Sequence, residues 1–196
     1  MNFLAHLYLS GSDVEIRLGN FIGDYVKGKR LDNYPQKIQK GIRLHRAIDT
    51  LTDSHASTKI CKEIIKPELG RYSGVVTDVL FDHILATEWP NYSKRNLKNF
   101  TRTFYMQMLQ RYHLLPQDVR RFLPFMIQSN RLYSYKSTDG IHRALEIMSN
   151  HTSLPNKAAY ATSQLTQNIN IYKSRFNVLF SDLIALSKNE YSINLD

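Results

Sequence analysis

The sequence predicts an all-α protein folded as one helical bundle. Apolar residues recur at steps of three and four, as in Leu97, Phe100, Phe104 and Met108, or in Leu165, Ile169, Tyr172, Phe176, Leu179 and Leu183. That spacing lines one face of an α-helix. No segment alternates apolar and polar residues convincingly enough to read as a strand. The breaks carry helix-start chemistry, with Ser, Thr, Asp or Pro at the openings. At 196 residues, without a linker-like stretch, internal repeat or low-complexity tract, residues 1–196 read as a single domain.

Residues 1–9 are apolar with His6 among them, too short for periodicity to separate a helical turn from a strand. Residues 10–13 break that run and offer N-cap side chains, so a helix starts near Val14 with Ile16, Leu18, Phe21, Ile22 and Tyr25 inward. Gly19 and Gly23 lie within it, each at a cost of about 1 kcal/mol relative to alanine. Such a pair predicts that a neighbouring helix or a ligand approaches the backbone closely. Residues 27–33 form a basic connection. Pro35 opens a helix through Ile38, Ile42, His45 and Ile48 to about Thr52. Residues 57–66 form another, broken by Pro67 and Gly70. Residues 71–89 are apolar nearly all round, which predicts a buried helix. A helix then spans about 93–113. Pro116 opens the next, bent or interrupted at Pro124. Ser137 or Thr138 caps one carrying Ile141, Leu145 and Met148, and one long helix follows Pro155.

The formal charge of +9 implies a polyanionic partner: nucleic acid, an anionic membrane surface or an acidic protein. Simple solubility is the plain alternative. Lys27, Lys29 and Arg30 form one of several scattered basic clusters, which suits a charged face on a folded body. No run of 18 apolar residues predicts a membrane span, and the start of the chain lacks the pattern of a signal peptide. The single cysteine, Cys61, excludes an internal disulfide and fits a reducing, cytoplasmic setting.

The chemistry concentrates in the first 83 residues. His45, Asp49 and Asp53 are spaced i, i+4, i+8 and form one stripe beside apolar Leu44, Ile48 and Leu51. Such a stripe either faces water or faces a divalent metal that neutralises the carboxylates. Asn20 and Asp24 lie four apart on another stripe. Asp78, Asp82 and His83 fall on the predicted buried helix, where unpaired ionisable groups are costly. A hydrolytic metal site needs several His and Asp ligands converging from different helices. No Gly-rich phosphate loop, G-x-S-x-G, cysteine pair or H-E-x-x-H supports a competing chemistry. His113, His142 and His151 read as surface residues.

Four stretches, MNFLAHLYLS, GNFIGDYVKG (19–28), GIRLHRAIDTLTDSH (41–55) and RYSGVVTDVLFDHILATEW (71–89), closely resemble the acyl carrier protein phosphodiesterase family. They occur in the right order over roughly the first 90 residues. The family is a divergent, all-α branch of the HD-domain metal-dependent phosphohydrolases. The resemblance implies hydrolysis of the phosphodiester between 4′-phosphopantetheine and a serine of holo-acyl carrier protein, with a divalent metal, manganese preferred. A related hydrolase acting on a nucleotide or other small phosphoester is the alternative, and nucleic acid as a partner is disfavoured. The chain departs from a plain HD motif, since no His-Asp pair is adjacent; His45 with Asp49 and the reversed Asp82–His83 are the near-equivalents. The ligands so implied are Asp24, His45 and Asp78, then His6 and Asp49, with Asp49 alternatively orienting His45. His55 or His83 would protonate the departing serine oxygen, and Arg46 or Arg71 would hold the phosphate. Lys27, Lys29 and Arg30 would dock the acidic carrier.

Overall fold

The computed structural model describes residues 1–195. Among them are eleven α-helices, joined by short 3-10 turns, and no strand. The opening segment is helical: α1 spans Phe3–Leu9. Its first turn is held from across the fold, because the Asp82 carboxylate accepts the Leu4 and Ala5 N–H groups at 2.7 and 3.1 Å. A carboxylate suits the unsatisfied donors and positive dipole end of a helix N-terminus.

Helix α2 (Val14–Phe21) starts where Asp13 caps the Glu15 and Ile16 N–H groups. Helix α3 (Gln36–Ser54) carries the His45 stripe and packs along α2. The crossing needs glycine on both sides. A Cβ on Gly19 would strike the Ile38 carbonyl, and one on Gly41 would strike the Ile16 carbonyl. This is the close backbone approach that the glycine spacing predicts. Two 3-10 turns, Gly23–Tyr25 and Gly28–Asn33, join the two helices.

Helix α4 (Ala56–Leu69) continues through Pro67, and the stop is Gly70 at φ +49°. Proline falls in the last turn, where little helix remains to be disrupted. Helix α5 (Ser73–Thr87) is the central element. Val76, Val79, Leu80, Phe81, Ile84 and Leu85 are all buried, and α5 contacts both α1 and α4. Each such side chain removed from water contributes roughly 1.5–3 kcal/mol.

The second half surrounds this centre with α6 (Leu97–Gln110), α7 (Gln117–Gln128), α8 (Arg131–Ser134), α9 (Thr138–His151), α10 (Ala158–Gln167) and α11 (Ile169–Asn189). Helix α7 is not interrupted at Pro124. The carbonyl four residues earlier, on Arg120, which proline cannot bond, accepts the Tyr112 hydroxyl at 3.1 Å. The expected long C-terminal helix is two. The Asn168 amide folds back onto the Gln164 carbonyl at 3.0 Å and breaks the run there. The buried apolar residues form one contiguous core. No helix among the described residues is long and apolar enough to cross a membrane.

Candidate active site

Three elements deliver the central side chains. α1 presents His6, α3 presents His45 and Asp49, and the 3-10 turn after α2 presents Asp24. The two imidazoles stack with centroids 4.2 Å apart and planes 23° from parallel. His45 Nε2 lies 3.3 Å from Asp24 Oδ1 and 3.1 Å from Asp49 Oδ2. His6 Nε2 lies 3.1 Å from Asp49 Oδ1, so Asp49 spans both rings. Asp78, on α5, joins through the Met1 amino nitrogen, which is 3.3 Å from Asp78 and 3.5 Å from Asp49. Both rings are buried, whereas Asp24 is 65% exposed and marks the mouth of the site.

Asn20 fixes how the rings face. Its side-chain N–H groups donate to the His6 carbonyl at 2.9 Å and to Ser10 Oγ at 2.8 Å. That leaves Asn20 Oδ1 to accept from His6 Nδ1 at 2.8 Å. The Asn20 backbone carbonyl, in the last turn of α2, accepts from His45 Nδ1 at 2.8 Å. Each ring therefore keeps a proton on Nδ1 and turns Nε2 toward the carboxylates. His6 Nε2 then faces two acceptors, Asp49 and the Met1 carbonyl at 3.0 Å. Gly23 makes room for this, since a Cβ there would run into the His45 ring.

The titration of the cluster follows. Burial opposes charge on His45, but Asp24 and Asp49 outweigh it and push its pKa up to about 9. Burial and the neighbouring His45 charge hold His6 below the usual histidine range. Burial works against the Asp49 carboxylate, yet His45 and His6 bring it well below the usual carboxylate range. Asp24 is lowered by His45, and Asp78 is raised by burial. A proton on His45 Nε2 thus sits among carboxylates, in a place that a cation can take.

The donor set fits a divalent cation. His6, His45 and Asp49 each offer one donor atom, all within 4.8 Å of one another. His45 Nε2 and Asp78 Oδ1 are buried without an aligned hydrogen-bond partner. Two imidazoles, both neutral once a cation replaces the proton on His45 Nε2, with carboxylates at an open mouth form a mixed N/O set of the kind that holds Mn²⁺ or Zn²⁺.

The other residues singled out in the sequence lie outside the histidine–aspartate cluster itself. His55 caps α4, accepting the Ser57 N–H at 3.1 Å, and pairs with Asp182 at 3.2 Å. His83 donates to the Tyr135 carbonyl at 2.7 Å, and burial keeps it below the ordinary histidine range. Its neighbour Asp82 accepts the first amides of α1, so the reversed Asp82–His83 pair anchors helices and supplies no donor atom to the His6–His45–Asp49 group. Arg71 is exposed, bonded to the Tyr72 hydroxyl at 2.7 Å. Arg46 donates to the Val26 carbonyl at 2.8 Å and so ties the Asp24 turn to α3. Lys27, Lys29 and Arg30 are exposed just beyond that turn. Asp53 is exposed, and His142 meets Glu146 at 3.4 Å. Burial pushes the Cys61 thiol up to about 12, which leaves it unreactive. The residue that the sequence reading left without a role is Asn20; its four-residue spacing from Asp24, between two glycines, was the available signal.

Fold and site define an all-helical protein with a buried histidine–aspartate centre that opens to the surface. The sequence model of the acyl carrier protein phosphodiesterase family matches residues 1–183, and the chain belongs to that family. It is 30% identical over 194 residues to the acyl carrier protein phosphodiesterase of Enterobacter sp. (strain 638), covering 97% of this chain and 99% of that one. The Klebsiella pneumoniae (strain 342) protein of the same name is 28% identical over the same spans. That of Pectobacterium atrosepticum is 44% identical over 89 residues, 45% of this chain and 46% of its own. No solved structure matches.

Proposed function

We propose that this chain hydrolyses the phosphodiester joining 4′-phosphopantetheine to a serine of holo-acyl carrier protein, releasing apo-carrier and free 4′-phosphopantetheine, with a divalent cation, Mn²⁺ by preference. The observation that carries the reading is the convergence of two imidazole Nε2 atoms and the Asp49 carboxylate beside Asp24 and Asp78. In a phosphodiesterase family this supports a hydrolytic centre of the HD type.

His6, His45, Asp49 and Asp24 would hold the cation, with Asp78 beside them. When bound, it supplies positive charge at the phosphoryl group and a water of lowered pKa. Asn20 keeps both Nδ1 protons in place, so the Nε2 atoms stay available. Asp49 lies beside both rings, balances the charge on His45 and competes with neither ring for a proton at neutral pH. Arg46 uses part of its guanidinium on Val26, and its remaining donors would hold a phosphoryl oxygen. The exposed Lys27, Lys29 and Arg30, next to the mouth, draw in an acidic carrier and set its orientation. Cytoplasmic location follows from the same substrate reading.

The test is the mass of the carrier. Holo-carrier incubated with this protein and Mn²⁺ should lose the mass of the arm, and a chelator should stop the loss. No loss from holo-carrier, with phosphate released from a nucleotide panel instead, would transfer the reading to a small-phosphoester hydrolase.

A further inference from the structure

An apolar cleft of about 510 Å³ opens between α7, α9, the start of α1 and the Asp24 turn. Phe3, Tyr25, Phe122 and Met148 are part of its wall, and Arg121 and Arg131 supply charge. Two of these residues connect it to the active site. Phe3 lies three residues before His6 on α1, and Tyr25 directly follows Asp24. The wall is built from packed rings, with Phe3–Phe122 centroids 6.1 Å apart and Tyr25–Phe122 centroids 5.5 Å apart. At its lip Phe125 is 66% exposed, a large apolar ring left mostly open to solvent.

We propose that this cleft seats the 4′-phosphopantetheine arm of the carrier, with the phosphate end toward His6 and His45 and the thiol end toward α9. The inference rests on the carrier phosphodiesterase reading and adds where the arm goes. The arm is a flexible chain, uncharged beyond its phosphate, with a branched dimethyl carbon and two amides. An apolar wall with a few placed polar groups is the setting that such a ligand requires, and the volume lies within the usual range for small-molecule sites. Arg121 and Arg131 are donors only, matched to the arm's amide carbonyls. The Tyr25 hydroxyl is a donor on the wall next to Asp24, at the phosphate end. The cleft also gives α7, α8 and α9 a part in recognition, although they contribute nothing to the histidine–aspartate cluster.

The test uses Ile147→Trp, which adds bulk at the cleft, and Phe125→Ala, which trims the lip; both residues line it and are exposed, so the fold tolerates the changes. Turnover is measured on holo-carrier and on bis(p-nitrophenyl) phosphate, which has no arm. The ratio of kcat/KM for carrier over small diester should fall about tenfold in Ile147→Trp, the scale of a mismatched apolar pocket, and less in Phe125→Ala. Calorimetric titration with free 4′-phosphopantetheine should show weaker binding in the same order. Carrier turnover with an unchanged ratio in both variants overturns the cleft assignment and leaves the reaction standing. Absent carrier turnover, with 4′-phosphopantetheine binding still weakened by Ile147→Trp, supports the cleft and overturns the reaction. A wild-type dimer that Phe125→Ala dissociates without change in ratio makes the cleft a self-association surface and also overturns the proposal.

Discussion

Replacing Asn20 by alanine separates orientation of the imidazoles from mere stability. The Asn20 side chain is fully buried and makes three hydrogen bonds of 2.8–2.9 Å. A buried hydrogen bond contributes about 1 kcal/mol net, so the loss amounts to about 3 kcal/mol at most. The Ser10 hydroxyl softens it, because it already donates to the His6 carbonyl at 2.7 Å. What is left unpartnered is His6 Nδ1, and the expected destabilisation is about 2 kcal/mol. A domain with a stability of about 5–15 kcal/mol stays folded through that loss. The functional effect is separate. Without Asn20 Oδ1 the His6 ring can carry its proton on either nitrogen, and its Nε2 is no longer held ready. Loss of such a supporting bond costs about 10–100-fold in metal affinity. His45 keeps its partner, since the backbone carbonyl remains. Urea denaturation reads the first effect, and calorimetric titration of Mn²⁺ reads the second. Asn20→Asp, which keeps an acceptor toward Nδ1, should bind Mn²⁺ more tightly than Asn20→Ala even if it is no more stable. Wild-type Mn²⁺ affinity in Asn20→Ala, with stability lowered, would refute the orienting role.

His45→Ala should abolish carrier turnover and leave a helical protein by circular dichroism; normal turnover would remove the site proposal. Mn²⁺ must displace the proton that Asp24 and Asp49 hold on His45, so affinity should fall about tenfold per pH unit below about 9; a flat profile contradicts this. With chelator present, that raised pKa contributes stability that is complete below about 6.5 and lost as pH rises through about 9, checked by thermal melts across that window. Gly23→Ala forces the His45 ring aside, and turnover should drop by about 10-fold or more, the scale of misplaced catalytic groups, seen as a fall in kcat. Reversing Lys27, Lys29 and Arg30 to glutamate should raise KM for carrier several-fold at low salt and converge with wild type at high salt; equal KM values at all salt concentrations would exclude that docking face.

The helices were legible wherever apolar spacing was long, as in residues 97–108 and 172–183, because burial of one face dictates the period. The interruption at Asn168 was not, since it depends on one amide choosing the Gln164 carbonyl. Helix α7 ran through Pro124 for a reason no local pattern carries: a tyrosine twelve residues earlier supplies the missing donor. At the site, the i, i+4 relation of His45 and Asp49 could be read directly; His6 and Asp24 were named only through the resemblance, and the structure brings them beside that pair. The resemblance gave His55 or His83 the proton-donor role, and Asp82 lay four residues from Asp78 on the same buried helix. Their partners are Asp182, the Tyr135 carbonyl and the first amides of α1, all set by tertiary packing that spacing does not encode. Asn20 escaped because its importance lies in two ring orientations rather than in its own reactivity.

His6 and His45 both turn Nε2 toward Asp49, where one cation would bind. Crystals grown with Mn²⁺ and measured at the manganese absorption edge test it directly. An anomalous peak bounded by His6, His45 and Asp49, with Asp24 at its open side, is the expected result. A peak elsewhere, or none in a protein that turns over carrier, would contradict it.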